Sequence, residues 1–177
     1  GAPIHGIQTW IALPREHEEA EPAFEHHPSR TLPETRLPGA LLRLIAGAAF
    51  GQRAPASVFS PMFYLDAALE TGATVGLPEQ YEERAVYVAE GEIEVEGSRF
   101  GPGQMAVFAA GATAAVLATM PSRAMLLGGA PLDGPRYIWW NFVSSSRERI
   151  EQAKRDWQQG GFAPVPGDEE RIPLPEQ

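Results

Sequence analysis

Short runs in which apolar and polar residues alternate follow one another along residues 40–143. A period of two is typical of β-strands with one buried face. Glycine and proline separate the runs at intervals of about 8–12 residues, which indicates a β-sandwich or closed barrel and not a parallel α/β sheet. The predicted strands are Leu41–Ala46, Met62–Leu69, Arg84–Ala89, Glu92–Glu96, Gln104–Ala109, Ala114–Thr119, Arg123–Gly128 and Tyr137–Val143.

One helix is predicted after these strands, over residues 144–160. Ser145 and Glu148 have the spacing of a capping box. Gly160, followed by a second glycine, is a typical helix end. Apolar residues recur at the helical period and would form one buried stripe. The stripe consists of Ile150, Ala153 and Trp157.

The remaining pattern divides the chain into five parts. Residues 1–14 contain a strand, Ile7–Leu13, which Pro14 ends. Residues 15–39 are acidic and rich in proline and form a linker, with one short strand possible around Ser29–Leu32. The barrel is expected over 40–143, the helix over 144–160 and an extended surface tail over 161–177.

The stretch Thr71–Gly97 carries the most specific pattern in the chain. Two alternating runs flank the pair Glu90-Gly91, so we predict a hairpin with a tight turn. Its shape resembles the first motif of the cupin β-barrel. In metal-binding cupins that motif runs Gly, five residues, His, one residue, His, three residues, Glu, six residues, Gly. Laid on Gly72 and Gly91, this spacing fits without a gap.

The metal-ligand positions of the motif hold residues that do not bind metals. They fall on Pro78, Gln80 and Arg84, and the last histidine, which belongs to the second motif, falls on Ala106. Proline and alanine have no ligating side chain, and the cation of Arg84 would repel a metal ion. We therefore predict an all-β cupin fold, a double-stranded β-helix or jelly-roll barrel with one C-terminal α-helix, that has neither metal ligands nor catalytic residues.

Arg84 supports two hypotheses about the interior of this barrel. It could hold a carboxylate or phenolate ligand in a pocket with Gln80 and Phe63. Buried unpaired arginine is rare, however, so the favoured expectation is that Arg84 lies at the barrel mouth and pairs with Glu82, Glu83 or a partner.

Composition narrows the classes of partner. The formal net charge is −9 at pH 7, which opposes binding to nucleic acid and to anionic membrane surfaces. The sequence has no cysteine, which excludes disulfides and thiol nucleophiles. No apolar run is long enough to span a membrane. With no secretory signal visible, we expect a cytoplasmic protein.

Three other groups of residues could bind a metal ion or a ligand. The run Glu25–His27 could bind a transition metal, but adjacent residues of an extended chain point in opposite directions, which favours solvated histidines. The acidic turn Glu79–Glu83 offers oxygen ligands alone and would bind a hard cation loosely. Trp139 and Trp140 could line a pocket for a flat ligand. We favour packing, with one ring in the core and the other covered by the helix at Trp157.

Six longer segments carry a resemblance to a known family: His5–Pro14, Glu18–Phe24, Phe63–Leu69, Leu126–Leu132, Trp139–Trp157 and Phe162–Glu176. These segments are similar to the pirin family, and the resemblance covers essentially the whole chain. It implies the second half of a bicupin, in which two barrels pack face to face and iron is bound by the first barrel only. Bacterial pirins are associated with quercetin 2,3-dioxygenase activity and animal pirins with transcriptional co-regulation.

This resemblance implies a division of labour between two barrels. The chain would be a metal-free C-terminal cupin that supports an iron-binding N-terminal cupin whose motifs would precede Gly1, so no cofactor is expected here. Residues 1–14 would then be a strand from the junction between barrels, with exposed apolar residues and an open edge. Its partner would be that barrel or a second copy of the chain in a homodimer. The competing hypotheses are a stand-alone module that binds a small acid, a phenol or a protein, and an enzyme with a recruited metal.

Overall fold

The computed structural model describes residues 6–163, 167, 170 and 172–175. Those residues form thirteen β-strands, two short 3-10 helices and one α-helix. The chain divides into two compact units. The larger unit is Glu21–Pro131, and the smaller unit combines Gly1–Ala20 with Leu132–Gln177.

The larger unit contains two antiparallel sheets. The seven-stranded sheet has the order β1-β2-β4-β11-β6-β9, with β3 paired to β2, and the four-stranded sheet has the order β5-β10-β7-β8. A 3-10 helix, Ser29–Thr31, precedes them. The strands are β1 Glu34–Leu37, β2 Ala40–Ala49, β3 Gln52–Arg53, β4 Met62–Leu69, β5 Thr74–Gly76, β6 Glu83–Glu90, β7 Ile93–Val95, β8 Ser98–Phe100, β9 Met105–Phe108, β10 Ala115–Ala118 and β11 Ser122–Gly129.

One hydrophobic core lies between these two sheets. Val86 and Val88 on β6 face it from the larger sheet, and Ile93 and Val116 face it from the smaller sheet. All four side chains are fully buried. Their alternation with more exposed neighbours is the pattern that predicted the strands, because successive residues on a strand point to opposite faces. The all-β jelly-roll prediction is confirmed.

The predicted hairpin around Glu90-Gly91 is wrong in its pairing. Strand β6 pairs with β9 and β11, whereas β7 pairs with β8 and β10, so the turn is a corner between two sheets. Gly91 has a positive φ of 77°, and a Cβ atom there would lie 2.4 Å from the carbonyl oxygen of Pro121. The close approach of the β10–β11 turn therefore requires glycine at this corner.

Short strands were the main omission of the sequence-based prediction. Strands β1, β3, β5 and β8 have two to four residues each, too few to show a period of two. The strand expected around Ser29–Leu32 is instead the 3-10 helix Ser29–Thr31. The neighbouring strand β1 begins five residues after Ser29, where Glu34 pairs with Arg43 of β2.

The smaller unit contains a two-stranded sheet and the predicted helix. Its elements are a 3-10 helix Arg15–His17, strands β12 Tyr137–Trp139 and β13 Phe142–Ser144, and helix α1 Arg147–Gln159. The barrel strands therefore end at β11, earlier than the predicted limit at residue 143. The predicted strand Ile7–Leu13 is wrong, since residues 6–14 have no regular secondary structure.

The helix begins one residue later than the capping box predicted. Ser146 is the N-cap, and its hydroxyl oxygen accepts a hydrogen bond from the backbone N–H of Arg149. Ser145 cannot serve because its backbone N–H and its hydroxyl both donate to the carboxylate of Glu18. Gly160 ends the helix in the left-handed conformation, as predicted.

None of the helices in the described residues combines the length and the apolar character that a membrane span requires.

Candidate functional site

The four positions of the cupin metal motif have different environments. Arg84 lies near the start of β6, where it shares a strand face with Val86, and only 4% of its surface is exposed. Ala106 on β9 pairs directly with Val86 and is also buried. Pro78 is buried in the loop before β6, and Gln80 is exposed in that loop. An arginine side chain thus lies at the edge of the core where the motif expects a carboxylate.

Arg84 belongs to a row of residues that crosses the larger sheet. It pairs with Phe108 of β9 on one side and with Gly128 of β11 on the other. Gly128 in turn pairs with Phe63 of β4. A Cβ atom at Gly128 would lie 2.5 Å from Cε1 of Phe63 and 3.1 Å from Cγ of Arg84. The absent side chain therefore leaves the space that the Phe63 ring and the Arg84 stem both use.

Tyr81 lies beside this row, whereas the sequence analysis counted it only among the oxygen donors of the turn Glu79–Glu83. Its ring centroid is 5.2 Å from that of Phe63, and its hydroxyl donates to the carbonyl oxygen of Ala48 at 2.7 Å. Of the predicted pocket residues, Phe63 and Arg84 both border Gly128, whereas Gln80 is exposed. A buried tyrosine in the loop before a strand carries no periodic signal that would have identified it.

The guanidinium group of Arg84 has an incomplete set of hydrogen bonds. Nη2 donates to the carbonyl oxygen of Ala112 at 2.6 Å. Nε is buried and has no partner among the described residues. Within that same part of the chain no Asp or Glu side chain forms an ion pair with Arg84, so the expected pairing with Glu82 or Glu83 is wrong. The strand geometry explains this, because neighbouring residues point to opposite faces and Glu83 is exposed.

The Glu25–His27 run forms a local hydrogen-bond cluster. The Glu25 carboxylate accepts from the hydroxyl of Ser57 at 2.6 Å and from the backbone N–H of Ser57 at 3.0 Å. Nε2 of His27 lies 2.9 Å from the same carboxylate, and His26 is exposed. The Ser57 hydroxyl, followed by His27, lowers the pKa of Glu25 to about 2. This carboxylate connects the acidic linker to the loop before β4.

In the described ranges, no group of three or more His, Asp or Glu side chains has an arrangement that could hold a metal ion. The acidic turn Glu79–Glu83 is no exception. Its three glutamates are exposed, and Arg84 next to them faces the core.

Aromatic rings in the smaller unit pack on one another. Trp140 has a positive φ of 49°, so the alternation of the strand is broken there. As a result Trp139 and Trp140 both contact Phe142, at centroid distances of 6.1 and 5.6 Å. Trp140 also contacts Trp157 of helix α1 at 5.2 Å. Packing beneath the helix is confirmed, and the prediction that the two rings lie on opposite faces is wrong.

An ion pair in the smaller unit also escaped the sequence analysis. Nε of Arg136 lies 2.6 Å from Oε1 of Glu18, and the two side chains are 5% and 13% exposed. Burial raises the pKa of Glu18, but hydrogen bonds from Ser145 and Ser144 and the charge of Arg136 outweigh it, so the net pKa lies below its ordinary value. Arg136 further donates to the carbonyl oxygen of Leu13 at 2.8 Å.

A shallow cavity of about 430 Å³ lies next to this ion pair in the smaller unit. Its walls are mostly apolar, and several of its residues are largely exposed: Trp10 at 52%, Ile11 at 49% and Ile138 at 68%. Leu13, Asn141 and Val143 complete the lining together with Ala12 and Glu18. The cavity has one carboxylate, which is already engaged by Arg136.

Comparisons with known proteins agree with the barrel and with the sequence resemblance. The family described as Pirin C-terminal cupin domain matches residues 64–163. A protein of Caulobacter vibrioides named "Pirin-like protein" is 50% identical over 178 residues, which cover 99% of this chain and 62% of the relative. Two crystal structures of quercetin 2,3-dioxygenase from Acinetobacter baumannii also match. One has a TM-score of 0.83 at 25% identity and covers 95% of this chain and 57% of that one. The other has a TM-score of 0.80 at 26% identity, with 87% and 55% covered.

The Caulobacter relative and the two Acinetobacter structures align with 87–99% of this chain. The chain spans only 55–62% of the length of these proteins.

Proposed function

The chain belongs to the pirin family, and from this premise we propose that it is a metal-free C-terminal cupin that supports an iron-binding N-terminal cupin. The proposal concerns the division of labour between two barrels. Matched proteins that are named as quercetin 2,3-dioxygenases extend well beyond the length of this chain. The dioxygenase chemistry is assigned to the other barrel, and a cytoplasmic location is kept as part of the proposal.

The observation that carries this proposal is the side chain of Arg84. A permanent cation, 4% exposed, occupies the motif position at which a metal cupin has a carboxylate ligand. The other positions hold a proline, an exposed glutamine and a buried alanine. This donor set does not fit iron, since the barrel offers neither imidazole nor carboxylate at these positions and the guanidinium would repel the ion.

Exposed apolar side chains of the smaller unit support a docking role. Trp10, Ile11 and Ile138 are about half exposed or more and border one cavity. Exposed apolar patches of this kind mark interaction surfaces. We propose that an N-terminal cupin covers this patch, with a second copy of the chain as the competing occupant.

The test uses the purified chain together with the N-terminal cupin half of the Caulobacter relative. Size-exclusion chromatography with light scattering should show a one-to-one complex, and metal analysis should find iron in the complex and none in the chain alone. Ile138→Glu should abolish the complex. Val107→Glu should leave it intact, because Val107 is equally exposed but lies in the larger unit.

Three results would reject the proposal: no association, stoichiometric iron in the isolated chain, or equal effects of the two variants. A homodimer that Ile138→Glu dissociates would assign the patch to a second copy.

A stand-alone binding module is the second candidate function, and the unpaired Nε of Arg84 favours it. Such a module would hold a small acid or phenol without catalysis.

A further inference from the structure

We propose that the barrel of the larger unit binds a small carboxylate, of the size of formate or acetate, through the guanidinium group of Arg84. The proposal rests on the second candidate function, the binding module, and does not depend on a partner barrel, because all the groups involved belong to the larger unit. It assigns a ligand to a position at which the sequence motif expects a metal ligand.

The first argument is the charge of Arg84. Arginine stays protonated at all physiological pH values, and its side chain is 4% exposed. Buried charges in proteins are paired with an opposite charge or hydrogen-bonded in full. No Asp or Glu in the described residues pairs with this one. A bound anion would supply the missing countercharge inside the barrel, where water screens poorly.

The second argument is the set of unused donors. The guanidinium has five N–H groups in a planar fork. One nitrogen, Nη2, donates to the carbonyl oxygen of Ala112, and Nε is buried without a partner in the described part of the chain. A neutral acceptor could satisfy one of these N–H groups. A carboxylate has two oxygens in one plane, so it can accept two parallel hydrogen bonds from the fork.

The third argument concerns the size of the ligand. Phe63 is fully buried, and a Cβ atom at Gly128 would collide with its ring and make a tight contact with the stem of Arg84. Phe108 lies on the other side of Arg84 in the strand register and is 8% exposed. These neighbours are apolar and closely packed, so a ligand at the guanidinium could have no more than a few atoms. Ala112 lies in the loop between β9 and β10, and its carbonyl oxygen accepts from the guanidinium, so this loop borders the proposed ligand.

The test measures the thermal stability of the full chain in increasing sodium formate and sodium acetate, at constant ionic strength. A ligand that binds only the folded protein raises Tm with the logarithm of its concentration above Kd. Wild type should show this rise. Arg84→Met should show none, and Arg84→Lys should bind about tenfold more weakly, because lysine keeps the charge but lacks the planar fork.

The matched control is Arg53→Met. Arg53 is an exposed arginine on β3 of the same unit, so its loss changes the net charge equally. This variant should respond to formate as wild type does. An equal response of wild type and Arg84→Met, or no response of wild type, would overturn the proposal.

Crystals of the wild-type chain grown in formate give a direct readout that needs no variant. Both formate oxygens should lie within hydrogen-bond distance of Nε and one Nη of Arg84. A lone water at Nε, or an acidic side chain from a neighbouring copy, would overturn the assignment. A result against formate binding at Arg84 would not reject the proposed complex with an N-terminal cupin, which is tested by light scattering.

Discussion

Nε of Arg136 lies 2.6 Å from the Glu18 carboxylate, although 118 residues separate the two in the chain. The same carboxylate accepts two hydrogen bonds from Ser145, just before helix α1. Arg136 donates to the carbonyl oxygen of Leu13, so the pair joins the N-terminal segment of the smaller unit to its sheet and helix. One buried ion pair thus connects the two chain segments that form this unit.

We predict that Glu18→Gln destabilises the smaller unit by roughly 1–3 kcal/mol, because it removes one of the two carboxylates that pair with the buried Arg136, while Asp133 still accepts from its Nη2. All four tryptophans lie in this unit, so urea unfolding followed by tryptophan fluorescence reports on it. Glu16→Gln is the control. Glu16 is 79% exposed at the side chain and lies 3.6 Å from His17, so its loss should cost less than about 0.5 kcal/mol. Equal effects of the two variants would contradict the prediction.

Some of this architecture could be predicted from the sequence. Val86 and Val88 alternate with more exposed residues, and this local pattern identifies strand β6 whichever strands pair with it. The motif spacing from Gly72 to Gly91 assigns Arg84 to a ligand position on the inner face of the barrel, and its side chain is buried there. Both predictions depend on residues that are near one another in the chain, where periodicity and spacing are informative.

The remaining features depend on contacts that the local pattern does not contain. A strand, a turn and a second strand have the same local pattern whether the two strands pair or belong to different sheets. The pattern therefore predicts a hairpin at Gly91, where the structure has a corner. The positive φ of Trp140 brings two adjacent rings to one cluster and cannot be read from a strand pattern. The ion pair of Glu18 and Arg136 involves no motif at all. The corner and the ion pair depend on residues that are far apart in the chain, and the Trp140 conformation depends on the short turn between β12 and β13.

We predict that Ser57→Ala raises the pKa of Glu25 from about 2 toward its ordinary value of 4.5, because the Ser57 hydroxyl is the main cause of the lowered pKa. The folded-state pKa lies below the unfolded value. The stabilisation by this carboxylate is therefore present above pH 4.5 and is lost as the pH falls toward 2. Carboxyl-carbon NMR titration measures the pKa directly. The control, Ser98→Ala, alters an exposed serine on β8 and should leave the titration of Glu25 unchanged.

We predict that Gly128→Ala destabilises the larger unit by about 1–3 kcal/mol, the usual cost of overpacking. The new methyl group would lie 2.3 Å from the carbonyl oxygen of Glu83 and 2.5 Å from the Phe63 ring. Far-UV circular dichroism during urea unfolding measures the change, since the larger unit has no tryptophan. Gly76→Ala on β5 is the control, because nothing lies within 4 Å of its added Cβ. Unchanged stability of Gly128→Ala would contradict the prediction, because both the Phe63 ring and the backbone carbonyl of Glu83 would have to shift at no cost.

The last prediction concerns the stability of the barrel without ligand. Arg84→Met removes a buried cation and keeps a long apolar stem of similar shape. Replacing buried charges by apolar residues is often neutral or stabilising by about 1–4 kcal/mol. Against this, the carbonyl oxygen of Ala112 loses its donor, which costs about 1–3 kcal/mol. In buffer free of carboxylates we therefore expect Arg84→Met to be as stable as wild type or more stable, as measured by urea unfolding with circular dichroism.

Added formate should reverse this order, because it stabilises only the protein that keeps the guanidinium. Arg53→Met should follow wild type in both buffers, since its exposed side chain has no part in the barrel interior. A large loss of stability in carboxylate-free buffer for Arg84→Met would contradict the prediction. That result would mean that Arg84 already has a full set of partners in the folded chain. The charge of Arg84 would then serve folding and not ligand binding.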